Sequence, residues 1–197
     1  MRILTVGIKN FNDVEFAPVV DVCLNKPDFG SRVLWGSSMI KVPGGSITSE
    51  WKNFVGSSSC LIEKDVEYGI SYTLHKNAKI LEISDINDYI MALQKYSIPI
   101  CYKIQLDFSK ICHDYDAFHL TSDAAMDLHL FWYSKSFWED HGVSVDGDDE
   151  WDYYRVDDFN SYDVESWIIF NAECINKGSI LTHNNIQYSP YLYDDVD

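Results

Sequence analysis

Long hydrophobic runs are missing from this sequence of 197 residues. No stretch approaches the run of about 18 apolar residues that a membrane-spanning helix needs, so we expect no contact with a membrane. The segment from Met1 to Ile8 has one basic residue and too short an apolar patch for a secretory signal, and we interpret it as a first strand. These absences predict a soluble, cytoplasmic protein.

Cysteines at metal-binding or redox spacing are also missing. The five cysteines (Cys23, Cys60, Cys101, Cys112 and Cys174) include no CxxC. Scattered cysteines in an odd number, without a secretory signal, indicate reduced thiols that fill the core. A catalytic cysteine stays an alternative, although no neighbouring motif selects one. The six histidines form no HExxH or Cys/His ligand spacing, so the sequence predicts no metal site.

Basic residues are scarce compared with acidic ones. The chain has 15 Lys and Arg against 31 Asp and Glu, a formal net charge of −16. A surface this negative repels phosphate backbones, which disfavours direct nucleic-acid binding. Two interpretations of the charge stay open. One is ordinary solubility, and the other is an acidic decoy that occupies the basic groove of a nucleic-acid-binding partner.

The segments that are present alternate between strand-like and helix-like patterns. Residues 68–74 and 78–83 flank a turn and predict a β-hairpin. The clearest helix follows Ser84, which we expect to cap it, and further helices are predicted near residues 48–55 and 122–134. Residues 100–108 and 114–121 resemble strands. Because helices do not regularly separate the strands, the sequence predicts an α+β fold with a few short helices, and not a doubly wound sheet.

One domain over residues 1–197 is expected, because no linker or internal repeat interrupts the chain. Acidic residues and glycine between about 139 and 160 predict a long acidic loop. The segment 182–197 contains asparagines, a proline and terminal acids, and we predict that it is a mobile tail.

A candidate catalytic acid lies where a predicted strand begins. The segment from Ser161 to Asn171 joins an acidic turn to a β-branched and aromatic run, the composition of a buried strand. Glu165 stands at the start of that run. The sheet can hold such a carboxylate rigidly while it faces a cleft, although a solvated charge at a strand end is the open alternative.

A second candidate segment is Leu34-Trp35-Gly36-Ser37-Ser38. A glycine followed by two serines lets a backbone approach a ligand closely and supplies small hydrogen-bond donors. The alternative is a strand that merely ends in a turn. The glycine-rich loops elsewhere contain neither GxxxxGK[ST] nor GxGxxG, so a phosphate-cradling loop has no support.

The order of these segments resembles the ADP-ribosyltransferase-like fold of toxin and phage-associated enzymes. The resemblance covers about residues 32–175, and its parts are Leu34–Ser38, a helix with Trp51, and the segments 78–85, 115–121 and 163–171. It implies split antiparallel sheets with NAD gripped in the cleft between them. Glu165 would then bond the nicotinamide ribose and stabilise the positive charge that develops as nicotinamide leaves.

The resemblance also implies which residues contact NAD: Arg32, Trp35, Gly36, Ser37, Ser38, Trp51, Tyr68 and Tyr72. Tyr68, Tyr72 or Trp51 would stack on nicotinamide. Trp35 stands where the family usually has a histidine or arginine. The resemblance thus predicts transfer of ADP-ribose from NAD to a protein or nucleic-acid acceptor that the sequence does not identify. The alternative is a non-catalytic acidic protein, an inhibitor or nucleic-acid-mimicking decoy that engages a basic partner.

Overall fold

The structure, a computed structural model, describes residues 1–19, 22–23, 26–27, 32–57, 66–100, 103–130, 133–144, 156 and 164–189. Its helices are α1 (Glu50–Ser57), α2 (Ile86–Tyr96), α3 (Phe108–Asp114), α4 (Ser122–Leu130) and α5 (Lys135–Asp140). Its strands are β1 (Ile3–Val6), β2 (Val22–Cys23), β3 (Lys26–Pro27), β4 (Leu34–Ser38), β5 (Ile40–Lys41), β6 (Ile47–Thr48), β7 (Gly69–Tyr72), β8 (Ile80–Ile83), β9 (Ser97–Ile100), β10 (Lys103–Leu106), β11 (Ala117–Leu120), β12 (Ser166–Ile169) and β13 (Leu181–His183).

A seven-stranded sheet in the order β13-β7-β1-β4-β12-β11-β8 organises the described residues. Neighbouring strands within this sheet run antiparallel, except that β11 and β8 run parallel at one edge. The pairs β9–β10, β2–β3 and β5–β6 form three smaller sheets. This mixture of helices and mostly antiparallel strands confirms the predicted α+β fold class.

The predicted hairpin of residues 68–74 and 78–83 is wrong. A turn does form where it was expected, since the backbone N–H of Ala78 donates to the carbonyl of His75. However, β7 pairs with β1 and β13, whereas β8 pairs in parallel with β11 at the other edge of the sheet. The parallel pair needs a long connection between its strands, and the segment that contains α2, β9, β10 and α3 supplies it.

The strands bury apolar side chains on both faces of the sheet. In β12, Ile168 joins the core formed with α2, α3 and α4, while Trp167 and Ile169 join a second core on the opposite face. This division follows from the alternation of side chains along a strand. The second core includes Tyr72 and is covered by residues near Phe11 and by the chain around Ile175.

The helix predicted after Ser84 is present as α2, but its cap is the next residue. Asp85 Oδ1 accepts the backbone N–H groups of Asn87 and Asp88 at 2.8 and 3.0 Å. Ser84 donates its own backbone N–H to the Asp88 carboxylate at 2.9 Å instead. A carboxylate at this position also interacts favourably with the positive end of the helix dipole.

Two other segments differ from the predictions. Strand β9 (Ser97–Ile100) pairs antiparallel with β10 (Lys103–Leu106), and the chain then enters α3, which Asp107 caps, so the predicted strand over residues 100–108 ends at Leu106. The predicted helix over 122–134 does not extend through Ser134, because Ser134 is the extended cap of a separate helix, α5, while α4 is described over Ser122–Leu130. Ser134 caps α5 by accepting the Phe137 backbone N–H at 3.2 Å.

The acidic loop predicted at about 139–160 falls mainly outside the described residues, although α5 already extends to Asp140. The segment predicted to be a mobile tail is held through residue 189. Leu181–His183 is strand β13, Ile186 is fully buried, and the Ser189 backbone N–H donates to Asn53 Oδ1 at 3.0 Å. The buried side chain of Ile186 and the hydrogen-bonded backbone groups hold residues 181–189 in place, while residues 190–197 lie outside the described residues.

None of the helices that the structure describes is long and apolar enough to cross a bilayer.

Candidate functional site

Neighbouring strands β4, β12, β11 and β8 place polar side chains on one face of the sheet. In the register of the strands, His119 lies between Trp167 of β12 and Glu82 of β8. Because side chains alternate between faces, Ser38 and Glu165 lie on the same face as Trp167. We call these five residues, Ser38, Glu82, His119, Glu165 and Trp167, the Glu165 cluster.

The carboxylate of Glu165 accepts hydrogen bonds at both of its oxygens. Oε1 accepts from Ser38 Oγ at 2.7 Å, from His119 Nε2 at 2.9 Å and from Trp167 Nε1 at 3.1 Å. Oε2 accepts the backbone N–H of Ser38 at 2.8 Å. The residue is only 7% exposed. These donors hold the carboxylate in one orientation.

Burial and hydrogen bonding act in opposite directions on the pKa of Glu165. Burial raises the pKa because it penalises the charged form, but the hydrogen bonds from His119 and Ser38 stabilise that form and outweigh the effect of burial. The net result is a pKa below the ordinary value. Glu165 is therefore an ionised carboxylate at neutral pH, in a place from which water is largely excluded.

His119 lies between two carboxylates. Its Nδ1 is 2.8 Å from Glu82 Oε2, and its Nε2 faces Glu165. Both ring nitrogens donate at the same time only when the ring is the doubly protonated imidazolium. The ring also stacks on Trp167, with centroids 3.8 Å apart and planes 14° from parallel. The side chain of Glu82 is 54% exposed, so a chain of hydrogen bonds runs from Ser38 to the solvent.

Glu50 fixes the backbone of Glu165. Its Oε2 accepts the Glu165 backbone N–H at 2.9 Å and the hydroxyl of Ser122 at 3.0 Å. Glu50 is the first residue of α1 and Ser122 is the first residue of α4. The start of β12 is thus tied to two helices, which explains how a residue just outside a strand is held as firmly as one within it.

The side chains of Leu34–Ser38 lie alternately on the two faces of the sheet. Ser38 reaches Glu165, whereas Ser37 is fully buried and its Oγ accepts the backbone N–H of Trp51 at 3.1 Å. Trp35 packs against the core on the helix side. A Cβ added at Gly36 would lie 2.7 Å from the backbone oxygen of Leu4. The close approach of β1 to β4 therefore requires this glycine.

The other residues predicted to contact NAD have partners of their own, although Tyr72 shares the second core with Trp167. Arg32 is exposed and forms an ion pair with Glu15. The Lys9 ammonium lies over the ring of Tyr68, 4.8 Å from its centroid. Tyr72 is fully buried, its hydroxyl is 3.2 Å from Thr5 Oγ1, and burial raises its pKa strongly.

Trp51 packs its ring against Phe54, with centroids 5.9 Å apart. Of the residues predicted to contact NAD, Ser38 is the one that the structure brings into contact with Glu165.

Sequence reasoning missed His119, Glu82 and Glu50 as parts of this site. His119 is a polar residue in the otherwise apolar strand Ala117–Leu120, all of which is buried. A buried polar residue of this kind needs a partner, and this was the available local signal. The identity of the partner depends on which strands are neighbours, and the local sequence does not contain that information.

A cleft of about 290 Å³ lies elsewhere, lined by Phe16, Ala17, Pro18, Val19, Cys112, His113, Phe170 and Asn171. No member of the Glu165 cluster lines it. Within the described ranges, no three or more His, Cys, Asp or Glu side chains are grouped so that they could hold a metal ion.

Comparison of the chain with protein-family models, with curated proteins and with solved structures finds no match. The chemistry of the Glu165 cluster therefore has to be inferred from its own residues.

Proposed function

We propose that the chain transfers ADP-ribose from NAD to a macromolecular acceptor, with Glu165 as the catalytic carboxylate. The observation that supports this most directly is the ionised and oriented carboxylate of Glu165, buried where a central strand begins and bonded to Ser38 of the neighbouring strand. The described thiols, those of Cys112 and Cys174, are free. Free thiols are typical of a reducing compartment, and we propose the cytoplasm as the site of action.

The reaction needs a fixed negative charge where positive charge develops. The bond between ribose C1′ and the nicotinamide nitrogen breaks, and its electron pair goes to the pyridinium ring, which leaves as neutral nicotinamide. Positive charge then develops on C1′ and the ribose ring oxygen, as in glycoside hydrolysis. The acceptor nucleophile forms a new bond to C1′ and loses its proton to water. Glu165 is the residue that would stabilise the intermediate charge.

The charge of the site suits one end of NAD. Glu82 is exposed and bonds to His119, and Glu50 is half-buried and accepts the backbone N–H of Glu165. The nicotinamide ring of NAD is a cation, so these carboxylates attract it before the reaction and attract it less after it has left as a neutral molecule. The same charge repels the pyrophosphate, which we expect to bind away from Glu82 and Glu50.

Nicotinamide release from NAD tests the proposal. We expect the parent protein to release nicotinamide, measured by chromatography, and we expect Glu165→Gln to lower kcat by about 100-fold to 1000-fold, the usual effect of removing one preorganised electrostatic group. Glu173→Gln is the matched control, because Glu173 is an exposed carboxylate paired with Lys177 at the surface. No release by the parent at millimolar NAD, or equal rates for the parent and Glu165→Gln, would contradict the proposal.

A second candidate function has its own support. Both oxygens of Glu165 are already engaged by the chain itself, as in a carboxylate with a purely structural role. Together with the net charge of −16, this favours a non-catalytic acidic protein that binds a basic partner. Its binding would weaken steeply as salt is added, and Glu165→Gln would change stability without changing any reaction rate.

A further inference from the structure

We infer that His119 and Glu82 are positioning residues for Glu165: the ring of His119 holds the carboxylate in place, and Glu82 holds the ring. This inference rests on the proposed function. It adds a pair of residues to that function, since the resemblance to ADP-ribosyltransferases includes the segments 78–85 and 115–121 but gives no role to Glu82 or His119 within them.

The geometry leaves His119 little freedom. The side chain is 7% exposed and comes from β11, between the strands that carry its two partners. Stacking on Trp167 fixes the plane of the ring, and bonds at Nδ1 and Nε2 fix its rotation within that plane. A ring held in this way presents one N–H to Glu165 in a constant direction.

Among the described residues, the carboxylates that face the His119 ring are those of Glu82 from β8 and Glu165, which immediately precedes β12. A carboxylate as buried as Glu165 is costly without a cation or several hydrogen bonds beside it. The His119 ring supplies one of these hydrogen bonds, from Nε2 to Glu165 Oε1 at 2.9 Å. Without it, three neutral donor groups remain, two from Ser38 and one from Trp167.

Glu82 acts on Glu165 indirectly, through its hydrogen bond with His119. By accepting the Nδ1–H of His119, it fixes which nitrogen faces Glu165, as the second partner of a functional histidine commonly does. Because the side chain of Glu82 is 54% exposed, solvent screens its charge. Its removal should therefore act in the same direction as removal of His119 but with a smaller effect.

The test uses the full chain with 13C-labelled glutamate side chains, and it compares His119→Gln, Glu82→Gln and the control His75→Gln. His75 lies exposed in the turn before Ala78. The first measurement is the pH titration of the Glu165 carboxyl carbon. We expect His119→Gln to raise the pKa of Glu165, because the charged hydrogen bond that lowers it is lost. We expect a smaller rise for Glu82→Gln and none for His75→Gln.

The second measurement is nicotinamide release as a function of pH. The ionised form of Glu165 is the active one, so a raised pKa moves the acid limb of the rate profile to higher pH. We expect His119→Gln to lower kcat by about 100-fold, the effect of a misplaced catalytic group, with a much smaller change in KM. Loss of activity through general unfolding would instead reduce the active fraction without moving the pH profile.

The outcomes separate this inference from the proposed function. An unchanged Glu165 titration in folded His119→Gln overturns the positioning role, whatever the activity. If the pKa of Glu165 rises in His119→Gln but the parent releases no nicotinamide, the positioning role is supported and only the ADP-ribosyl transfer is contradicted. If the pKa of Glu165 rises and the acid limb of the rate profile moves to higher pH, both the positioning role and the proposed function are supported.

Discussion

Replacement of Glu165 by glutamine should lower the stability of the fold, in addition to any effect on catalysis. Both carboxylate oxygens act only as acceptors, and the donors around them come from Ser38, His119 and Trp167. A glutamine keeps one oxygen and replaces the other with an NH₂ group, which is a donor. If the oxygen stays with the three donors at Oε1, the new NH₂ group faces the backbone N–H of Ser38. Two donors then face each other in a buried place.

The expected magnitude follows from the unpaired donor. A buried donor without a partner reduces the free energy of unfolding by about 1–3 kcal/mol, and in a chain of this size each kcal/mol lowers Tm by about 2–4 °C. The effect should depend on pH. The pKa of Glu165 is lower in the folded state than its ordinary value of 4.5, so the carboxylate stabilises the fold fully above that value. This stabilisation is lost as the pH falls through the folded-state pKa.

Urea unfolding of the parent, Glu165→Gln and Glu173→Gln at pH 7 and in mild acid measures these differences. The difference in the free energy of unfolding between the parent and Glu165→Gln should be largest at pH 7 and should become smaller in acid. Glu173→Gln, which changes an exposed surface ion pair, should stay close to the parent. Equal unfolding free energies for the parent and Glu165→Gln at pH 7 would refute the hydrogen bonding described for Glu165.

Three further substitutions test the fold that supports the site, each by urea unfolding. Gly36→Ala should lower the free energy of unfolding by about 1–3 kcal/mol, because the new Cβ meets the Leu4 carbonyl oxygen at 2.7 Å; Gly178→Ala, where the nearest such atom is 3.5 Å away, is the control. Asp85→Ala should lower it by about 0.5–2 kcal/mol through loss of the α2 cap. Ile186→Ala should lower it by about 2–5 kcal/mol, since this side chain is fully buried, and a neutral result would mean that the C-terminal segment is not packed as described.

Local patterns in the sequence were sufficient to predict some elements and not others. The helix after Ser84 was predictable because its apolar residues recur at helical spacing and face the core as α2. The start of a buried strand at Glu165 was predictable from the β-branched and aromatic residues that follow it. In both segments, the local preference and the tertiary environment agree.

The pairing of strands could not be predicted in the same way. The turn at His75 to Ala78 has the local character of a hairpin, yet four other strands lie between its two flanking strands in the sheet. Nothing in residues 68–83 specifies that β8 will pair with a strand more than thirty residues further along. This is also why Glu82 and His119 were missed: their contact exists only because β8 and β11 are neighbours. The candidate site depends on the order of the strands in the sheet, whereas the formation of each strand depends on its local sequence.

Binding of NAD to the purified full chain is the measurement that tests the central claim most directly. A ligand that binds only the folded state raises the free energy of unfolding, by about 1.4 kcal/mol when its concentration is ten times Kd, or about 3–6 °C in Tm. We predict a rise in Tm of this order at millimolar NAD, with calorimetric heats that nicotinamide competes away. An unchanged Tm and no heat of binding at millimolar NAD would contradict the assignment of Glu165 as the catalytic carboxylate of an ADP-ribosyltransferase.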